Sequence, residues 1–309
     1  MKYAIGTLAV IVAALCGVLV ASCGAGNGAE SAGPVPTGAA PGGDVAETSG
    51  ETSTVASSGS SSTSSGSATL VQYQVWFTRD ESLFMVKRDV ASTPRVGTAA
   101  MESLLAGPAP SEQAAAVGSQ IPAGTQLLGL SVEDGVATVD LTSEFESGGG
   151  SASMNMRIAQ VVYTLTQFPT VKGVLFELDG QHVDVLGGEG VVVDEPVTRK
   201  DYRSLVPAIL VTDPQIGERV DNPVVVQGSA NVFEANVTVE IVDANGKVVG
   251  HTFTTASCGT GCRGTFSVEV PYEVSSATRG LIIVHDDDAA GTGMPPHEVR
   301  IPVVLTPSS

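Results

Sequence analysis

The chain has 309 residues, with 33 acidic side chains against 15 basic ones and a formal charge of −18 at pH 7. Acidity of that size argues against a nucleic-acid grip and against a polybasic hold on lipid; its plain meaning is solubility. Behind a low-complexity front end remain about 240 residues, enough for two domains with cores of their own.

Residues 1–22 read as a signal peptide: Lys2, then "AIGTLAVIVAALCGVLVAS" without a charge. A stretch of that length could also span a bilayer as an uncleaved anchor. The residues Val20, Ala21, Ser22 and Cys23 separate the two readings, because they resemble the lipobox of bacterial lipoproteins. The resemblance implies a diacylglycerol thioether on Cys23, cleavage before it and acylation of the new terminus. Two or three acyl chains, at about 0.8 kcal/mol per buried CH₂, hold a protein durably to a membrane. Cys16 lies in the same run, but Leu15 before it is too large for that subsite.

Residues 24–68 are mostly Gly, Ser, Ala and Thr, with no aromatic, Lys or Arg. Such a segment cannot bury enough apolar surface to offset its ordering entropy, so the expectation is a disordered tether. As a flexible coil it would span roughly 35–40 Å on average.

From residue 69 the pattern changes. "LVQYQVWF" alternates, with Val71, Tyr73 and Val75 on one face, and reads as a strand with "SLFMVKRDV" as its partner. "TPRVGTAAMESLLAGP" predicts a helix with Thr93 as N-cap, Pro94 in the first turn and Gly107-Pro108 as its end. Val96, Ala100, Met101, Leu104 and Leu105 would form its apolar stripe. "LLGLSVEDGVATVDL" is a hairpin turning at Asp134-Gly135, with Val136, Val139 and Leu141 expected inside. A second helix, "SMNMRIAQVVYTLTQF", should bury Ile158, Val161, Val162, Leu165 and Phe168, and another hairpin turns at Asp179-Gly180. Strands mixed with two helices predict an α+β sandwich, sheet on one side and helices on the other.

The segments "LLAGPAPSEQ", "IPAGTQLLGLSVEDGVATVDLTSEF", "AQVVYTLTQFPTVKGVLFELDGQ" and "LGGEG…PVTRKDY" resemble the GerMN, or sporulation and spore germination, domain over about residues 70–202. The resemblance implies a compact module similar to the ring-building domains of secretion-type assemblies, set in lipoproteins outside the cytoplasmic membrane and without assigned catalysis. In germination lipoproteins it helps to assemble a transmembrane complex; in actinobacterial envelope lipoproteins it accompanies a sensor kinase system. Two motifs invite enzymology. "LGGEG" has three glycines but no Lys-Ser/Thr and no helix after it, so it reads as a mobile turn before "VVVD" and not as a phosphate loop. Asp140 and Glu144 in "DLTSEF" could form a carboxylate pair, but no partner motif accompanies them and they read as solvated charges.

Residues 204–309 carry short alternating strands separated by Gly, Pro, Asn and Asp turns, with Asn245-Gly246 at one tight hairpin. That spacing predicts an all-β sandwich of roughly seven strands. "DPQIGERVDNPVVVQGSANVFEANVTVEIVDANG" and "VRIPVVL" resemble the immunoglobulin-like domain of bacterial spore-germination lipoproteins over about residues 207–305, which implies a binding or spacing module. Domain boundaries follow: signal 1–22, lipidated cysteine and linker 23–68, first domain 69–203, second domain 204–309.

The exported pair Cys258 and Cys262 should close a small disulfide around Gly-Thr-Gly. A zinc site would need two more ligands, and His182, His251, His285 and His297 show no paired spacing to supply them. In "HDDDAAGTGMPPH", Asp286, Asp288 and Gly291 fall at calcium-loop offsets, yet Ala290 and His297 occupy positions that need oxygen ligands. An exposed turn is the expectation there, and neither a metal nor a cofactor is expected anywhere.

The residues thus point to a non-enzymatic, membrane-anchored scaffold outside the cytoplasm, held by lipid on Cys23 and docking on an envelope protein, with self-association open. No G-x-S-x-G, no H-E-x-x-H and no reactive Cys with a His partner appears. The alternatives are a wall-binding or hydrolase-modulating protein and a ligand-sensing accessory of a signalling kinase, with its pocket between the modules. Trp76, the only tryptophan, sits on a first-domain strand where core packing is expected, which weighs against a wall-binding second domain. The Ala-, Gly- and Val-rich, Lys-poor composition suggests a high-GC organism, an actinobacterium.

Overall fold

The computed structural model describes residues 69–286 and 297–308. The signal segment, Cys23, the linker to residue 68, and Asp288 and Gly291 of the acidic loop lie outside the described residues.

Strands β1 (Leu70–Arg79) and β2 (Ser82–Ala91) pair antiparallel from Leu70↔Ala91 to Arg79↔Ser82. Their turn is Asp80-Glu81, both left-handed at φ 50° and 62°. Such a two-residue turn ordinarily takes Asn-Gly or Asp-Gly, which is why no hairpin signal marks it in the sequence. This ribbon is a sheet of its own.

Helix α1 runs Val96–Leu105 and buries Ala100, Met101 and Leu104. Thr93 is not its N-cap: Arg95 occupies that position without a side-chain cap, and Arg95 N donates instead to Thr93 Oγ1 at 3.2 Å. The short local bond competes with capping when Thr precedes proline by one residue. Gly107 ends the helix in a left-handed conformation, as its sequence position predicts. Helix α2 (Pro110–Gln113) follows, fixed by Glu112, which accepts from Ala109 N at 2.7 Å.

Strands β3 (Leu127–Glu133) and β4 (Val136–Leu141) form the expected hairpin at Asp134-Gly135. The inward face of β4 is Ala137, Val139 and Leu141, each fully buried, and Val136 is half-exposed on the other face. Strict alternation settles the point, since 136 and 139 cannot share a face. After helix α3 (Ser151–Leu165) the chain enters β5 (Gly173–Leu178), which lies parallel to β4 from Val136↔Gly173 to Leu141↔Leu178. The turn Asp179-Gly180 then leads to β6 (Gln181–His182), giving a sheet ordered β3-β4-β5-β6. A small ribbon, β7 (Val185–Leu186) with β8 (Val191–Val192), completes the domain.

The layers differ from a sheet on one side and helices on the other. Helix α3 packs against the β1–β2 ribbon as well as α1 and β5, so every residue from Met156 to Leu165 is buried. The predicted inward set Ile158, Val161, Val162 and Leu165 is in the core, whereas Phe168 lies past the helix end and is half-buried.

Among the described residues the second half has eight strands in two sheets. β9 (Ile209–Asp213), β11 (Val224–Ala230) and β14 (Gly264–Val270) make one, ordered β14-β11-β9. β10 (Arg219–Val220), β12 (Asn236–Asp243), β13 (Val248–Thr255), β15 (Thr278–His285) and β16 (Glu298–Leu305) make the other, ordered β10-β16-β15-β12-β13. Val237, Val239, Ile241, Ile282, Val284, Ile301 and Leu305 fill the space between them. The hairpin at Asn245-Gly246 forms as expected, with Asp243 Oδ1 accepting from Asn245 N and Lys247 N. The architecture is an α+β domain followed by an all-β immunoglobulin-like sandwich. No helix among the described residues is long and apolar enough to cross a membrane.

Candidate functional site

The described residues form one compact unit, and the joint between its halves is built from the β1–β2 ribbon. Lys87 Nζ meets Asp213 Oδ1 at 2.5 Å and Lys87 N donates to Gln215 Oε1 at 3.0 Å. Arg79 Nη1 donates to Arg300 O at 2.8 Å, and within the second half Arg263 Nη2 donates to Pro207 O at 2.6 Å. The Arg79 side chain is 15% exposed, and burial lowers its pKa more than Asp80 raises it. Its Nε has no hydrogen-bond partner among the described residues.

Behind the joint, Trp76 is 3% exposed, with Tyr163 at 4.8 Å and the Arg199 guanidinium at 5.6 Å from its ring. It packs in the core as its strand position predicts. Burial raises the Tyr163 pKa, and the charges of Arg199, Arg263 and Arg203 partly offset the shift. Tyr202 is pushed up to about 12 by burial and then by Asp201.

Two hollows adjoin Arg79. A notch of about 260 Å³ lies between the halves, lined by Phe84, Pro207, Glu298 and Arg300. A larger cleft of about 780 Å³ opens on the first domain and the connecting segment, with Asp80, Glu81, Gln120, Asn155, Asp201 and Tyr202 on its walls. The notch falls below the usual range of small-molecule sites and the cleft within it.

The motifs that invited chemistry have structural work. Glu189 of "LGGEG" accepts from Ser151 N at 2.6 Å at the start of α3, so a side chain of the protein itself occupies that helix end; the bond holds its carboxyl below the ordinary value. Asp140 accepts from Gly180 N at 3.0 Å, while Glu144 is exposed on a separate turn. Both oxygens of the buried Asp286 are taken by His297, through its backbone N at 2.9 Å and its ring Nδ1 at 2.7 Å. That carboxylate therefore faces inward, and no group of metal-ligating side chains occurs among the described residues.

Cys258 and Cys262 are joined. The small loop sits on Val232–Ala235, where Thr260 N donates to Val232 O and Glu234 N to Thr260 Oγ1. A Cβ at Gly259 would collide with the Ala235 backbone. Glu234 and Ala235 are left-handed, and the loop they form carries Phe233 at 60% exposure.

Sequence reasoning missed the polar stripe formed by α3 and the turn after it. Gln160, Thr164 and Gln167 stand at i, i+4 and i+7 and bond the outer backbone edge of β1. Gln167 exchanges bonds with Gln74 N and O, Trp76 N donates to Thr164 Oγ1, and Gln160 Nε2 donates to Trp76 O. Thr78 closes the series by exchanging bonds with Gly118. A buried edge must be paired, and the spacing was the available signal.

The fold and its joint define a two-module protein, an α+β domain docked on an immunoglobulin-like sandwich. Residues 62–184 match the family model for sporulation and spore germination, and residues 208–292 match that for the immunoglobulin-like domain of bacterial spore germination. The chain carries these two domains in that order, and neither family is one of known enzymes. Comparison with curated proteins finds no match. Among solved structures, a candidate lipoprotein from Clostridium perfringens is 22% identical, with 44% of this chain and 93% of that chain covered and a TM-score of 0.33. The first GerMN domain of the sporulation protein GerM from Bacillus subtilis is 18% identical over 42% of this chain and 99% of that one, at 0.37. The tandem GerMN domains of the same protein are 12% identical over 78% and 62%, at 0.38. Scores and identities of that size carry nothing about partners.

Proposed function

We propose that the chain is a lipid-anchored interaction protein on the outer face of the cytoplasmic membrane, without catalytic activity of its own. Acylated Cys23 ties it to the membrane, residues 24–68 set its reach, and the domains near 69–203 and 204–309 dock on an envelope protein. The observation that carries the reading is the tandem of two germination-type domains behind a lipobox-like sequence. Cross-linking in cells followed by affinity capture should recover one defined membrane partner, and Cys23→Ala should abolish it. Mass spectrometry finding an unmodified Cys23 thiol, or capture that returns only lipid, would overturn the proposal.

The 780 Å³ cleft favours a second reading, a ligand-sensing accessory of a signalling kinase. A thermal-shift screen yielding one saturable ligand, lost with Asn155→Ala, would promote it over the first.

A further inference from the structure

The sheet edges of the first domain are treated differently, and that of β3 is open. The outer edge of β1 is bonded from Gln74 to Thr78, and β6 is only two residues long. Strand β3 is seven residues long and ends the four-stranded sheet. Among the described residues nothing hydrogen-bonds to its outer side. Soluble proteins protect such an edge with charge, proline or a cover. Here Leu127 to Val132 contains none of the first two, and Leu128 and Val132 are 50% and 45% exposed.

The two faces beside this edge differ in chemistry. On the helix side a groove of about 590 Å³ has Val96, Leu128, Leu130, Val132, Leu165 and Phe168 along it, with Arg95, Glu102 and Thr170 also on its walls. On the opposite face of the sheet, a shallow basin carries Glu133, Asp140 and Glu177 with Ser131 and Thr138, and no basic residue lines it. A strand laid along β3 would direct alternate side chains to these two faces.

We propose that β3 is a docking edge for an extended segment of a partner protein, one whose side chains alternate apolar and basic. The inference rests on the reading of this chain as an interaction protein and names the chemistry of what it binds. Apolar side chains enter the Val96–Phe168 groove, Lys or Arg side chains lie over Glu133, Asp140 and Glu177, and backbone hydrogen bonds complete the sheet. The other occupants fit less well. The chain's own residues 24–68 contain no Lys or Arg and only three valines as larger apolar side chains, Val35, Val45 and Val55. A second copy would bring its own Glu133 and another −18 of charge against an acidic face.

The test uses the detergent-solubilised full chain and labelled seven-residue peptides, read by fluorescence anisotropy. A Val/Lys alternating peptide should bind saturably, and Val/Glu and Ser/Lys peptides about tenfold more weakly or worse. Val132→Lys should weaken the Val/Lys peptide by about tenfold, because a charge enters the apolar side of the edge. Glu269→Gln, an exposed position on β14, should leave binding unchanged. If Val132→Lys fails to melt like the parent, Leu128→Lys replaces it. Equal binding of the Ser/Lys peptide, or full binding by the edge variant, overturns the inference. Cellular capture separates the two levels. A partner recovered equally by parent and Val132→Lys removes the edge while leaving the interaction reading intact, and no partner with either removes both.

Discussion

Gln160 gives the sharpest test of how the first domain is held together. It is fully buried, accepts from Gln120 N at 2.9 Å and donates to Trp76 O at 3.1 Å. Gln160→Met keeps the length and volume of the side chain and removes these bonds, with a third to Ser119 Oγ at 3.2 Å. The buried Trp76 carbonyl would then lack a partner, at about 1–3 kcal/mol, whereas water can reach the part-buried Gln120 N. The net loss is about 2 kcal/mol. Against a total stability of about 5–15 kcal/mol, this lowers the melting temperature by about 4–8 °C. Gln167→Met is the control: its bonds to Gln74 are part-buried, water can replace them, and the loss should stay below about 1.5 kcal/mol. Urea unfolding followed by tryptophan fluorescence reports directly, because Trp76 adjoins the site. A Gln160→Met loss below about 1 kcal/mol, or equal to that of Gln167→Met, would refute the idea that α3 closes the edge of β1.

Glu112 forms a two-pronged pair with Arg88 at 2.6 and 2.7 Å and is 7% exposed, so Glu112→Gln should cost about 2–3 kcal/mol in chemical denaturation. Replacing Cys258 and Cys262 by Ser should lower stability by only about 2 kcal/mol, since the loop is short, with faster hydrogen exchange confined to the loop and Val232–Ala235. The Glu189 carboxyl is held below its ordinary 4.5 in the fold. Its contribution is therefore present above that pH and lost as pH falls through the folded value, and the melting temperatures of parent and Glu189→Gln should converge in acid. Tyr202 keeps its proton in the fold to about 12 while the unfolded chain ionises near 10. Stability should fall as pH rises across that window, and Tyr202→Phe should remove the latest phenolate in an absorbance titration.

The hairpins at Asp134-Gly135, Asp179-Gly180 and Asn245-Gly246 were legible because a tight turn needs a left-handed glycine, and all three glycines adopt it at φ 74–86°. The Asp80-Glu81 turn makes the same geometry without that residue, and tertiary packing of the ribbon on α3 compensates. The core side of α3 was legible from its aliphatic spacing. Its full burial was not, because Gln160 and Thr164 look like a solvent face until β1 supplies backbone groups for them. The parallel pairing of β4 with β5 depends on the path of α3 between them, which no local pattern encodes. Cys258 and Cys262 could be read from spacing and compartment, but the left-handed loop they brace could not, since Glu234 and Ala235 are ordinary residues in an unusual conformation. The exposed turn expected at the acidic loop does not hold at Asp286, which is buried. Asp286 turns inward to His297, and offsets along a chain do not record which way a side chain points.

The treatment of sheet edges ties the fold to its proposed role. In the first domain an edge that meets the core is satisfied by side chains of α3, at a cost in helix polarity that only a buried strand could justify. The same helix sends Leu165 to the floor of the groove beside β3, where the strand edge has no such partner among the described residues. An open apolar edge promotes aggregation unless something limits what can pair with it. The acidic basin on the other face supplies that limit, repelling copies of this chain and favouring strands with basic side chains. Affinity then comes from backbone pairing and selectivity from charge, so neutralising Glu133 and Glu177 should broaden the peptides accepted before it weakens the best one.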